Sequence, residues 1–252
     1  MWRPSQISLH IQLNESLNQS DLAGSHLCIN AMKLLEYAQK TDGIPLTKSG
    51  ALYRKFVVWA AEEFNWPGYE MERLYRVNKV LNEHDFMPLA VMHDLLIMGG
   101  LMRHYRKRAV LTKAGRSYLG NFGRLQTFLA ETYLVDADIN AFERFTIEYP
   151  EADMFHFLGV AYNRLSEWTK LLDYAHWCIP IPAIQGWRFS PEHDACYFLY
   201  TRVVRPLEWL GLIEEQKSGE LTAFEGRYLR KTSLFDRFFK FDLGEKYRVT
   251  VH

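Results

Sequence analysis

Cysteine is scarce in this chain of 252 residues: Cys28, Cys178 and Cys196 stand alone, at no spacing that builds a metal site. An odd number so widely separated excludes a disulfide scaffold and points to a reducing compartment. Net charge is also missing, because 30 Lys and Arg oppose 30 Asp and Glu. That excludes a protein held on a polyanion by total charge, though not one with a local basic patch. Long apolar runs are absent. The longest, Leu95–Met102, includes two glycines, and a membrane span needs about 20 apolar residues. Met1–Gln19 holds no apolar block of signal-peptide length. The sequence therefore predicts a cytoplasmic protein without a membrane partner. It also lacks a Gly-x-Gly-x-x-Gly loop, a Walker motif and a nucleophile elbow. No cofactor and no catalytic residue is expected.

What is present is a chain able to pack. Hydrophobic residues make up 48% and aromatic residues 15%, with seven Trp, which fits one to two globular domains. Charge is uneven along it. Residues 41–124 hold 13 Lys and Arg against 8 Asp and Glu, whereas 125–160 hold a single Arg against 7 acids. The latter stretch reads as an acidic helical connector broken at Pro150. The division expected is an N-terminal arm (1–28), a first module (29–124), the connector (125–160) and a second module (161–252).

Two segments echo each other. Lys33-Leu34-Leu35-Glu36-Tyr37-Ala38 recurs as Lys170-Leu171-Leu172-Asp173-Tyr174-Ala175, each followed by an Ile-Pro. Further on, Gly100-Leu101-Met102 matches Gly211-Leu212-Ile213. These landmarks suggest a duplication that places Leu34 and Leu171 at equivalent core positions. In the first copy Asn30 can cap a helix to Lys40, and Ile44–Thr47 is a short extended piece. Ser49–Phe64 has helical periodicity, a polar helix covers 69–82, and Asp85 can cap an apolar helix to Met98 ended by Gly99-Gly100. Leu101–Tyr105 and Ala109–Thr112 alternate as a hairpin around Arg106-Lys107-Arg108, and Thr112 opens a last helix. The second copy reads as a helix over 161–176, a helix over 191–210, strands at 212–215 and 228–231, and a helix from Ser233. Helix, strand, helix, helix and hairpin is the order of a winged helix. The fold class predicted is mainly α with short β-hairpins, in two tandem winged-helix-like modules.

Leu46-Thr47-Lys48-Ser49-Gly50, Leu101-Met102-Arg103 and Leu111-Thr112-Lys113-Ala114-Gly115 resemble the winged-helix-type region of a bacterial plasmid-borne open-reading-frame family. The resemblance spans about residues 30–120. The ubiquitin-like domain of that family has no counterpart here, and the resemblance implies no catalytic residue.

Two constellations invite chemistry. His84-Asp85, His93-Asp94 and His193-Asp194 are pairs of the kind that ligate metals in phosphohydrolases. Neighbours in a helix point about 100° apart, no second His follows at i+4, and capping explains the first and third pairs. No metal site is expected. The basic wing is more informative. Arg103, Arg106, Lys107 and Arg108 crowd one hairpin with no acid up to Arg116, a repulsion that phosphates would relieve. Arg73, Arg76 and Lys79 recur every third residue, and Arg54 and Lys55 precede them. The third helix, Phe86–Met98, has only His93 and Asp94 as polar residues and nothing to read base edges. The function expected is a non-catalytic, DNA-associated protein that contacts phosphates. The alternative is a protein-interaction adaptor that exposes parts of Phe86, Met92 and Met98.

Overall fold

The computed structural model describes residues 11–137, 154–181, 189–218, 224 and 226–241. Pro150 and the middle of the acidic connector, 138–153, lie outside them. The chain divides into two compact units. The first is Ser16–Thr132; the second combines Met1–Glu15 with Tyr133–His252. Both are mainly helical with small antiparallel sheets.

The first unit starts with α1 (His26–Lys40), followed by β2 (Ile44–Pro45), α2 (Arg54–Glu63) and α3 (Met71–Val77); β1 (Ile11–Leu13) belongs to the second unit. Then come a one-turn 3-10 helix (Glu83–Asp85), α4 (Met87–Met98), β3 (Met102–Tyr105), β4 (Arg108–Leu111), α5 (Lys113–Ser117) and α6 (Phe122–Glu131). The sheet runs in the order β2-β4-β3. Its core is built from one stripe of each helix, with Leu34 and Leu35 of α1, Phe56 of α2, Leu89, Met92 and Leu96 of α4, and Leu125 and Leu129 of α6 all buried. Each such side chain is worth about 1.5–3 kcal/mol of burial. Aromatic rings line the same core, Tyr37 meeting Phe56 and Trp59 at centroid distances of 4.8 and 4.4 Å.

Local chemistry corrects several of the predicted element ends. Ser25, not Asn30, caps α1: its hydroxyl accepts from the Cys28 N–H at 3.3 Å and donates to Gln126 at 2.8 Å. Asn30 is buried inside the helix. The residues read as an arm are therefore split, with Ser25, Leu27 and Cys28 anchoring α1. Helix α2 starts at Arg54 rather than Ser49, because Leu46 and Leu52 pair across a bridge that holds 47–51 as a turn. Helix α3 stops at Val77; Asn78 is extended, and its N–H and side-chain amide both donate to the Leu74 carbonyl at 3.1 Å. Asp85 closes the short turn before α4 by accepting from the Asn82 N–H at 2.8 Å, and α4 itself opens with Pro88 in its first turn.

In the second unit β1 (Ile11–Leu13) pairs antiparallel with β8 (Phe239–Phe241). The other elements are α7 (Met154–Arg164), β5 (Thr169–Lys170), α8 (Leu171–Cys178), α9 (Pro191–Leu199), α10 (Arg205–Trp209), β6 (Ile213–Lys217), β7 (Arg227–Lys231) and α11 (Ser233–Phe238). The single helix expected over 161–176 is thus two helices with a strand between them, Thr169 and Lys170 pairing with Leu229 and Tyr228. Between α9 and α10 lies a π turn, Tyr200–Val204, closed by the Arg205 N–H on the Tyr200 carbonyl. Pro206 explains it: without an N–H it cannot extend the ordinary ladder, and the widened turn absorbs the mismatch. The second sheet has the order β5-β7-β6.

The six-residue echo is not a structural equivalence. Lys33–Ala38 sits in α1, before β2, whereas Lys170–Ala175 begins in β5 and continues into α8, after the equivalent strand. Leu34 and Leu171 are both buried, but at different topological positions. The echo that does hold is Gly-Leu. Gly100 and Gly211 have φ of 73° and 74°, a conformation that glycine adopts without strain. The hydroxyls of Thr112 and Thr232 each donate to that glycine's carbonyl at 2.7 Å. Their N–H groups each donate to the next carbonyl, of Leu101 and Leu212, at 3.0 Å. The same corner locks helix to hairpin in both units.

Candidate functional site

The hairpin β3–β4 is set by register and by its turn. Met102 faces Leu111, Arg103 faces Val110, His104 faces Ala109 and Tyr105 faces Arg108. Alternation buries Met102, Ala109 and Leu111 on one side and sends Arg103, Tyr105, Arg108 and Val110 to the other. Only Arg106 and Lys107 form the turn, with φ of 48° and 59°. Two successive residues at positive φ make the tight turn whose twist suits a hairpin, and Asn-Gly is its favoured sequence.

On the outer side of this hairpin lies a cleft of about 620 Å3. Arg103, Arg106 and Arg108 line it from the hairpin, and Lys113 and Arg116 from α5. Asp42 is the single acid on its wall. Thr112 orients α5 by accepting from the Gly115 N–H at 3.0 Å. Gly115 lets α5 sit tight against the hairpin, since a Cβ there would lie 2.1 Å from the Leu101 carbonyl oxygen. The i, i+3 spacing then puts Lys113 and Arg116 on one side of the helix. Tyr105 is 47% exposed, with the guanidinium carbons of Arg103 and Arg106 at 5.2 and 5.1 Å from its ring centroid. That contact orders two long side chains at the mouth of the cleft.

The predicted site residues separate into three groups. Arg103 and Arg106 line the cleft, and Lys107 stands beside them on the turn. Arg108 does something else. It donates to the carbonyls of Asp42 at 2.9 Å, Thr41 at 2.8 Å and Gly43. These carbonyls follow the end of α1, where the helix dipole favours a cation. Arg108 is a clip between β4 and α1: Nε and Nη2 bind the three carbonyls, while the side chain also lines the cleft. Arg54, Lys55, Arg73, Arg76 and Lys79 are exposed on α2, on α3 and beyond the end of α3, and none of them lines the cleft. The ridge of every third residue is broken at Asn78, where the helix ends. Lys113 and Arg116 were missed by sequence reasoning, although the Thr112 cap with cations one and four residues later carried the signal.

The other constellations resolve into structure. His84 lies 3.4 Å from Asp85 and His193 lies 3.3 Å from Asp194, beside the turn that Asp85 closes and the α9 cap made by Ser190. His93 turns away from Asp94 toward Glu83. Among the described residues no group of three or more His, Cys, Asp and Glu could hold a metal ion. All three cysteines are buried, and burial pushes the thiols of Cys28 and Cys196 up to about 12. No helix among the described residues is long and apolar enough to cross a membrane.

The second unit's hairpin differs in charge. Arg227 pairs with Glu215 at 2.5 Å, Arg230 with Glu214 at 2.8 Å and Lys231 with Asp236 at 2.7 Å. These three cations are compensated, whereas among the described residues no ion pair is formed by Arg103, Arg106 or Lys107.

Fold and cleft together define a mainly helical protein that carries a cationic hairpin on a small antiparallel sheet. Residues 23–124 match the family model described as the Y4jL N-terminal domain, a span that takes in most of the first unit. Over 100 residues the chain is 44% identical to the uncharacterized protein y4jL of Sinorhizobium fredii, covering 40% of this chain and 46% of that protein. The chain thus spans about half the length of the curated relative it matches. No solved structure matches it.

Proposed function

We propose that each unit is a winged-helix module and that the first unit is a non-catalytic nucleic-acid-binding module which holds phosphates with little base specificity. The module reading rests on the helix-strand-helix-helix-hairpin order and on the shared sheet order, first strand against the last.

The carrying observation is the turn. Arg106 and Lys107 occupy left-handed positions that Asn and Gly fill at lower cost. Strain of this kind persists where the side chains have a task, and here the task puts two cations at the tip of a cleft already lined by Arg103, Lys113 and Arg116. Phosphate contacts position a nucleic acid without reading its sequence. Helix α4 supplies no Arg, Asn or Gln for base edges: its exposed or half-exposed residues include Ala90, Ile97 and Met98, with the Asp94 carboxylate as the one charge.

The test separates stability from binding. Arg106→Asn combined with Lys107→Gly relaxes the turn and removes two contacts. It should raise unfolding stability by about 1 kcal/mol and flatten the slope of log affinity against log salt by about 2 on a random-sequence duplex. A stabilised variant with an unchanged slope removes the wing from the site.

A second reading, a protein-docking surface, has one observation in its favour. Tyr75, Val77 and Val80 are 42%, 77% and 41% exposed between Arg73, Arg76 and Lys79. Of the residues this reading placed on the apolar helix, Phe86 and Met92 are fully buried and Met98, at the end of α4, is 45% exposed.

A further inference from the structure

The inner side of the same hairpin carries a chain of titratable groups for which phosphate binding has no use. His104 of β3 and His93 of α4 meet through their Nε2 atoms at 3.1 Å. The other nitrogen of His93, Nδ1, lies 2.8 Å from Glu83 Oε1. The second carboxylate oxygen of Glu83 accepts from the Leu52 N–H at 2.5 Å. Glu83 and His93 are 6% and 4% exposed. A buried carboxylate and a buried imidazole are costly unless each polar atom is partnered, and here each one is.

The partners fix the protons. A carboxylate only accepts, so His93 Nδ1 carries its hydrogen. A neutral His93 then has a bare Nε2, which accepts from His104 Nε2–H. That leaves Nδ1 of His104 as the free basic position, at the surface end of the chain. The two ring centroids are 5.2 Å apart, close to the widest separation that a 3.1 Å nitrogen contact permits, so the rings meet nearly end to end. The two nitrogens are placed to share one hydrogen.

The charges around His104 are few. Glu83 and Asp94 favour its protonation, and His93 opposes it. The loop packed on it brings Gly50, where a Cβ would lie 3.8 Å from Nδ1, and its cross-strand partner is Ala109. Arg103 and Tyr105 flank it in β3 but point to the cleft.

We propose that Glu83, His93 and His104 form a one-proton relay that couples proton uptake to polyanion binding on the hairpin. The coupling rests on the reading of the cleft as a phosphate seat. The proton comes from solvent and adds to Nδ1 of His104; no bond in the relay breaks, and the trio passes from one negative charge to none. Phosphates held by Arg103 and Arg106, the first of them adjacent to His104 in the strand, favour that added charge. Burial, and then His93, hold the His104 imidazole below its ordinary value in the free protein, and bound phosphate would oppose that shift. Stability has the opposite sign: the unfolded chain takes this proton first, so the free protein loses stability as pH falls below the ordinary imidazole value. Acid therefore tightens binding while it loosens the fold.

Calorimetry of the full chain with a random-sequence duplex, in two buffers of different ionisation heat, reads proton uptake directly. The wild-type protein should bind about three- to tenfold more tightly at about pH 5.5 than at about pH 7.5, the range in which histidine titrates. His104→Gln should keep the affinity at the higher pH and lose that gain and the linked proton; a variant that keeps both overturns the coupling. Absence of binding by either protein at low salt overturns the proposed function, and the coupling with it. NMR of the free protein reads the relay without nucleic acid: the ring signals of His93 should follow the titration of His104, and His93 signals that ignore it overturn the relay itself.

Discussion

Met92→Asp should unfold the protein or leave it only marginally stable. Met92 is fully buried in α4, the helix that packs against α1 and β3. A carboxylate there loses its water and gains no partner. Removing one member of a buried ion pair already costs about 3–5 kcal/mol, and a domain has only about 5–15 kcal/mol to lose. Urea unfolding followed by circular dichroism measures it. A variant with wild-type stability would mean that α4 faces outward, and it would return the function to protein docking through that helix.

Charge reversal on α5 carries the largest expected effect on binding. Lys113→Glu with Arg116→Glu replaces two attractive contacts by two repulsive ones in a cleft whose wall holds one acid. Loss of the contacts alone should flatten the salt slope by about 2, and the reversal adds repulsion. Duplex affinity at low salt should fall by about a hundredfold or more, similarly for unrelated sequences. The fold should survive, because Lys113 and Arg116 are exposed and the cap on α5 comes from Thr112. A variant that binds as the wild type does would confine the interface to the hairpin tip.

The hairpin was legible in the sequence because alternation over Leu101–Tyr105 and Ala109–Thr112 has the period of a strand and the cations mark its tip. Its detail was not legible. Sequence placed Arg108 in the turn, whereas the two-residue turn leaves it in β4, within reach of the carbonyls at the end of α1. The apolar character of α4 could be read directly, whereas the burial of Phe86 and Met92 and the exposure of Met98 could not, because the neighbours that cover it come from distant elements. Ends of elements depended on contacts distant in the chain. Ser25 outcompeted Asn30 as a cap because its hydroxyl also reaches Gln126, 101 residues away. The bridge between Leu46 and Leu52 removed the first turn expected of α2. The six-residue echo misled because an amphipathic pattern recurs wherever a helix meets a core, whereas the Gly-Leu corner and its threonine serve one geometry. Glu83, His93 and His104 carry no sequence signal as a group, for three separate elements bring them together.

The salt dependence of wild-type affinity shows whether the cleft holds phosphates. Arg103, Arg106, Lys107, Lys113 and Arg116 are the cations offered to phosphate. Engagement of four or five of them gives a slope of log affinity against log salt of about −4 on duplex DNA. Two duplexes of unrelated sequence should yield the same slope and the same affinity. A slope near zero, or a strong preference between the two sequences, would contradict the phosphate-holding cleft.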